Sequence, residues 1–168
     1  MQPRTTRPFS QLLRQADPST RKRLGQSIIR VDPFDKEMGA ISLLDAHLME
    51  NVHRNVFHRA FSLFCVDKAG NMLIQKRAPS KWTFPSTWSN SVCSHPAFND
   101  QERVVENNLG IKRAAKRRLF EELGVEVPEL DRFKPVDTYL YKTPFNDLLG
   151  EAECELSSRP HRAPGTRL

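Results

Sequence analysis

The sequence contains no apolar run approaching the roughly 18 residues that a membrane-spanning helix needs. Its longest useful run, residues 60–66 (AFSLFCV), has the length of a buried strand. Cysteine is scarce as well: Cys65, Cys93 and Cys154 are an odd number, and none sits in CxxC spacing. That argues against a disulfide framework or a Cys-rich zinc site and points to a reducing compartment. Acidic residues are almost missing from one end only. Residues 1–30 hold seven Lys or Arg against Asp17 alone, which accounts for the whole net charge of +6. The rest of the chain is balanced, with 19 basic and 19 acidic side chains. A nucleic-acid footprint clusters on a folded face among aromatics. A basic tail does not make one, so no nucleic-acid partner is expected.

What the tail does have is composition. Residues 1–16, MQPRTTRPFSQLLRQA, are Arg-rich, hydroxyl-bearing and free of acids, as organellar transit peptides are. A disordered basic tail explains the same residues. The cytoplasm is the expected compartment and an organelle the alternative. A chain of 168 residues suffices for one domain with a real core. Residues 1–26 read as tail or short helix, 27–156 as the domain and 157–168 as an irregular end. Strands are predicted at 27–31, 59–66, 72–76, 135–141 and 151–156, with the turn-rich DPFDKEMG after the first. The Gly70-Asn71 pair suits a hairpin between the second and third. In IKRAAKRRLFEEL, apolar residues at Ile111, Ala115, Leu119 and Leu123 predict a helix, ended by Gly124 as its C-cap. Strands around one main helix predict an α+β or small layered α/β domain.

Histidine occurs at 47, 53, 58, 95 and 161. Residues i and i+2 of an extended segment face the same way, which would aim Cys93 and His95 into one pocket, and Glu151 and Glu153 likewise. Imidazole and carboxylate together make a mixed N/O site suited to Mn, Zn or Mg. A Cys93–His95 nucleophilic pair competes with that reading. Parallel side chains make it hard for the imidazole to take the thiol proton, and no third, orienting residue is evident.

The helix adds a phosphate theme. RRLFEELGV, residues 117–125, resembles the second half of the Nudix box, REUxEExGU with U aliphatic, through Arg117, Leu119, Glu121, Glu122, Gly124 and Val125. Arg118 stands where Nudix hydrolases carry a metal-binding Glu. In the first half Arg103 and Leu109 replace the Gly and Glu. Three longer segments, HLMENVHRNVFHRAFS, RAPSKWTFPSTWSNSVCSHP and GIKRAAKRRLFEELGV, are similar in order and content to type I isopentenyl-diphosphate delta-isomerases.

The resemblance implies an α/β/α layered Nudix-like fold with a mixed sheet, acting as a monomer on isopentenyl diphosphate and dimethylallyl diphosphate. It places a divalent ion, Mn2+ or Zn2+, on His47, His58, His95, Glu151 and Glu153. Of the two glutamates, Glu151 is expected to complete the cluster. Cys93 and Glu153 fall on the catalytic pair, with Tyr141 assisting the glutamate. Glu122, with the backbone carbonyl of Cys93, would hold Mg2+ on the diphosphate, and Arg77, Lys81 and Arg118 would surround it. His53 has no implied role and is expected at the surface.

Shifting an unactivated double bond protonates one carbon and deprotonates another. An acid and a base must therefore flank a flat five-carbon unit, and Trp88 is expected to form a wall that stabilises positive charge. Two departures qualify the resemblance. Family members carry a Lys just before the first metal His, where Leu43 and Leu44 stand here. The family pattern also continues for several tens of residues past its Glu-x-Glu strand, so a truncated chain of low activity is expected. The alternatives are a Nudix hydrolase of a diphosphate substrate and a non-catalytic remnant that binds a metal or a partner.

Overall fold

A computed structural model describes residues 18–160. The elements in chain order are α1 (Pro18–Leu24), β1 (Ser27–Val31), β2 (Glu37–Ser42), α2 (Leu43–His47), α3 (Met49–His53) and β3 (Phe57–Leu63). Three short strands follow, β4 (Gln75–Lys76), β5 (Trp88–Ser89) and β6 (Val92–Ser94), then the long helix α4 (Leu109–Leu123). Two long strands, β7 (Phe133–Pro144) and β8 (Gly150–Pro160), close the described range. Six strands make one mixed sheet ordered β2-β1-β3-β8-β7, with β6 also paired to β3. This is the expected α+β architecture with one main helix.

Strand β3 is the axis. All seven of its residues are buried, as a strand covered on both faces requires. It runs parallel to β8, with His58 opposite Glu153 and Ser62 opposite Ser157. Its other edge carries β1 beside Phe57 and His58, and β6 beside Phe61 to Leu63. Two strands therefore flank β3 and aim their side chains across it, β6 with Cys93 and β8 with Glu153.

Helix α4 covers the core. Its buried Ile111, Ala114, Ala115 and Leu119 pack with Phe61, Leu63, Phe133 and Leu156. Gly124 ends it at φ 65° with its N–H on the carbonyl of Phe120, as a left-handed cap should. Near its start the helix comes so close to the preceding loop that a Cβ on Gly110 would lie 2.2 Å from the Glu102 carbonyl oxygen. Glycine there permits the approach. A second cluster gathers Ile29, Val31, Met49, Val52, Phe57, Ala152 and Cys154 beneath α3.

Several sequence expectations change. The Gly70 turn forms at φ 90°, with Asp67 accepting the N–H groups of Ala69 and Asn71. The hairpin, however, dwindles to a single Val66–Met72 bridge. Beyond it β4 pairs with β5 at Trp88 and Ser89, leaving Met72, Leu73 and Ile74 exposed. The turn-rich DPFDKEMG hides the start of a strand, β2, whose Glu37 pairs with Val31. The last strand runs to Pro160, past the 156 expected, because Leu156 to Ser158 still ladder with β3. Of the two readings of residues 1–26, tail or short helix, the described part takes the second: Pro18–Leu24 is helical, Leu24 is buried, and the Leu43 N–H donates to the carbonyl of Gln26. The transit-peptide reading of residues 1–16 lies outside the described residues.

Candidate active site

Alternation along β8 builds one wall of a cavity. Glu151, Glu153 and Glu155 face it, while Ala152, Cys154 and Leu156 are buried in the packed cores. The cavity has a volume of about 580 Å³, within the ordinary range for a small-ligand site. Cys93 and His95 enter it from the strand-and-loop segment on the other side of β3, and Tyr141 enters from β7. The period-two argument therefore puts both pairs into one cavity.

Three histidines meet at its wall: His47 and His95 line the cavity, and the fully buried His58 packs against them. His47, His58, His95 and Glu153 each offer a ligand atom, all within 4.8 Å of one another. Glu153 Oε1 lies 3.1 Å from His58 Nε2, 3.0 Å from His95 Nε2 and 3.9 Å from His47 Nε2. Bonds of roughly 2.0–2.2 Å to one ion hold its ligands at most about 4.4 Å apart, so the spacing is close to what one ion sets. The donor set fits too. His47 Nδ1 donates to the Leu43 carbonyl at 2.7 Å, which leaves Nε2 as the free lone pair facing the cluster. That is the outer hydrogen bond that metal-binding imidazoles usually have. His58 is completely buried, and its Nδ1 has no hydrogen-bond partner among the described residues. Burial, then the neighbouring His58 and His95, lowers His47 to about 3, and burial lowers His58. Against the burial that opposes it, the hydrogen bonds of His58 and His95 hold Glu153 well below the usual carboxylate range. Neutral imidazoles beside an ionised carboxylate are the state a cation requires.

Glu153, rather than Glu151, completes this group. Its place opposite His58 in the β3–β8 register sets it over the histidines. Glu151, one pleat earlier, is tied at 3.0 Å to the Tyr141 hydroxyl, which also lies 2.7 Å from Glu153 Oε2. Burial and then the charge of Glu153 push Glu151 up to about 7. Burial, then Glu153 and Glu151, push the Tyr141 phenol well above its ordinary value.

Cys93 makes no hydrogen bond to His95 among the described residues. Its Sγ lies 2.7 Å from Asn90 Oδ1 and 3.1 Å from Ser62 Oγ. Although it faces the open cavity, partial enclosure pushes the thiol up to about 11. The nucleophilic-pair alternative therefore has no support in the geometry. The loop leading to the Cys93 strand holds two non-glycine residues in the left-handed region, Phe84 at φ 46° and Ser86 at φ 61°. Arg77 braces it, donating to the carbonyls of Thr83 at 2.9 Å and Phe84 at 3.1 Å.

The remaining predicted residues divide. Arg77 and Lys81 line the cavity; Arg118 and Glu122 do not. Arg118 is buried and turned toward its own helix, paired with Glu121 at 2.5 Å and with Glu122. The Lys81 ammonium lies 3.8 Å from Glu122. Trp88, on the two-stranded β4–β5 ribbon, lines the cavity as expected but is 68 % exposed. The indole against the histidines is Trp82, its ring 5.5 Å from that of His47. His53 is exposed, as expected. Sequence reasoning missed Trp82, Ser62, Arg23 and Glu155. Only Glu155 left a sequence signal, as the third acid of the E-x-E-x-E alternation.

A family model for the NUDIX domain matches residues 56–163. Over 131 residues the chain is 41% identical to isopentenyl-diphosphate Delta-isomerase II, chloroplastic, of Arabidopsis thaliana, covering 76% of this chain and 46% of that protein. Over 130 residues it is 42% identical to isopentenyl-diphosphate Delta-isomerase I of Clarkia breweri, covering 76% and 45%. The chain thus spans about half the length of these curated relatives. The crystal structure of DR0079 from Deinococcus radiodurans shares the fold, with TM-score 0.53 and 22% identity over 84% of this chain and 76% of that one. With the match running from β3 through β8, the chain belongs to the Nudix domain family, and the relatives similar to it there are named isopentenyl-diphosphate delta-isomerases.

Proposed function

We propose that this chain interconverts isopentenyl and dimethylallyl diphosphate by moving protons between Cys93 on one side and Glu153 with Tyr141 on the other. One observation carries the reading: a single cavity joins Cys93, Tyr141 and Glu153 to a basic end at Arg77 and Lys81. Cys93 lies on β6 and Glu153 on β8, the two strands that flank β3. Neighbouring strands are about 4.8 Å apart, so their side chains address opposite sides of a small ligand lying over β3. With its thiol raised by burial, Cys93 holds a proton at neutral pH. Tyr141 holds another 2.7 Å from Glu153 Oε2. The basic end anchors the charged tail and sets the five carbons between these groups, where positioning supplies much of the rate.

His47, His58, His95 and Glu153 would hold a divalent ion, Mn2+ or Zn2+ by the N/O chemistry of the set. When bound, that ion supplies a local positive charge that fixes Glu153 and tunes its acidity. Mg2+ enters with the diphosphate as part of the substrate. Glu122, engaged by Arg118 and near Lys81, is not free to meet it here. The same pairing weakens the hydrolase alternative, since an arginine occupies the position where hydrolysis needs a carboxylate.

The test is conversion of isopentenyl to dimethylallyl diphosphate by the purified chain with Mn2+ and Mg2+, read beside Cys93→Ala. Loss of at least about a thousandfold in the variant is expected, on the scale of a general acid–base role. Near-normal turnover by Cys93→Ala, or release of phosphate in place of isomerisation, refutes the assignment.

A further inference from the structure

We propose that Arg23, on helix α1, is a binding residue for the diphosphate group at the basic end of this cavity. The inference rests on the reading above for the identity of the ligand, but its evidence is separate. Arg23 lines the cavity together with Leu43, Arg77 and Lys81. It comes from a segment that the sequence left open as tail or short helix. Its placement follows from its neighbours: Leu24 is buried, and the turn after it is closed by the Gln26 N–H on the Arg23 carbonyl at 2.9 Å. Gln26 in turn accepts the Leu43 N–H at 2.8 Å, which fixes α1 against α2. Arg21 and Lys22, on the same helix, do not line the cavity.

Charge supplies the second argument. Among the described residues Arg23 has no ion pair or hydrogen bond from its guanidinium. The carboxylates it feels, Glu122 and Glu121, are both engaged by Arg118. Arg23 is exposed at the edge of the cavity, yet its partial enclosure and then the charge of Arg118 lower it; Lys81, half-buried, is lowered by burial and then by Arg23, Arg77 and Arg118, against Glu122. Three cations, Arg23, Arg77 and Lys81, thus line this end of the cavity, with Arg118 and the two carboxylates it engages acting on them from outside the lining, and the surplus positive charge repels itself. An anion of two phosphate groups relieves that repulsion and accepts the guanidinium's paired donors, which suit phosphate oxygens in a way a point charge does not. Leu43, the residue just before the first metal-site histidine's turn, offers no cation. Arg23, beside it in the cavity wall, does.

Inorganic pyrophosphate is the probe, titrated by calorimetry into the unmodified chain, Arg23→Gln, Arg23→Lys and the control Arg21→Gln. Melting temperatures within a degree or two of one another show that all are folded. The expected result is about tenfold weaker binding for Arg23→Gln, a smaller loss for Arg23→Lys and none for Arg21→Gln. With isopentenyl diphosphate, KM should rise by a similar factor in Arg23→Gln while kcat changes less than about twofold, the pattern of lost ground-state binding. Equal pyrophosphate affinity in Arg23→Gln and the unmodified chain overturns the proposal, as does no binding by the unmodified chain. Weakened pyrophosphate binding in Arg23→Gln, without isomerisation by any form, upholds Arg23 and removes the isomerase reading instead.

Discussion

Replacing Glu102 should loosen the metal-site loop and the main helix together. Its side chain is 7% exposed and accepts three hydrogen bonds. Arg117 donates through Nε at 2.7 Å and Nη2 at 2.9 Å, and the buried N–H of Ala97 donates at 2.7 Å. Ala97 follows His95 by two residues, so this carboxylate ties the end of the histidine loop to α4. Glu102→Ala strands the Ala97 N–H, at about 1–3 kcal/mol, and leaves Arg117 without its buried partner. Breaking a fully buried pair costs about 3–5 kcal/mol. Arg117 is 31% exposed and can turn to water, so the total should be about 2–4 kcal/mol. Glu102→Gln keeps an acceptor and should lose roughly half of that. Urea titration at constant m-value measures both, and a cycle with Arg117→Gln should give a coupling of about 1–2 kcal/mol. His95 should also bind metal about tenfold less well through the displaced loop, since residues that orient ligands act on this scale. A loss below about 1 kcal/mol in Glu102→Ala, or no coupling to Arg117, refutes the reasoning.

Mn2+ or Zn2+ added to the chelator-treated chain should raise its stability by about 2.7 kcal/mol at a hundredfold excess over Kd, read as a shift in Tm. His95→Gln should abolish the shift, and an equal shift in that variant removes the ion from this cluster. A surface pair should show the opposite sensitivity, to protons rather than metal. Arg103 grips Glu37 at 2.5 and 3.1 Å, and that hydrogen bond, against slight burial, lowers the Glu37 pKa. A carboxyl lowered in the folded state contributes stability above its unfolded pKa and loses it as pH falls through the folded value. The gap in urea midpoint between the unmodified chain and Glu37→Gln should therefore be full at neutral pH and close in acid. A gap independent of pH contradicts the assignment.

The parts of the fold visible in the sequence were those decided by local rules. Ser27–Val31 emerged as the strand its pattern predicts, and the helix through Leu123 stopped at Gly124 because only a left-handed residue closes it there. Strand β2 escaped because its residues 37–42 (EMGAIS) are half-buried at a sheet edge, where alternation is weak. The partner of β4 escaped because a two-residue strand has no period. Whether Met72–Lys76 turned back on β3 or went on to Trp88 was settled by tertiary pairing.

For the site, same-face spacing brought Cys93 and His95, and Glu151 and Glu153, into one cavity. Which glutamate sits over the histidines is a matter of register, and register across two strands 95 residues apart is set by the core beneath them. Ala152, Cys154 and Leu156 must point into the packed clusters. That obliges Glu151, Glu153 and Glu155 to face the cavity, and the pairing of His58 with Glu153 then selects the middle one. A slip by one residue would bury three carboxylates in the core and empty the site. The apolar alternation of β8 therefore decides the chemistry on its other face. Arg23 and Trp82 have no such periodic partner. Only the folded arrangement of α1, α2 and the loop after Arg77 brings them to the cavity, so no pattern in the sequence marks them.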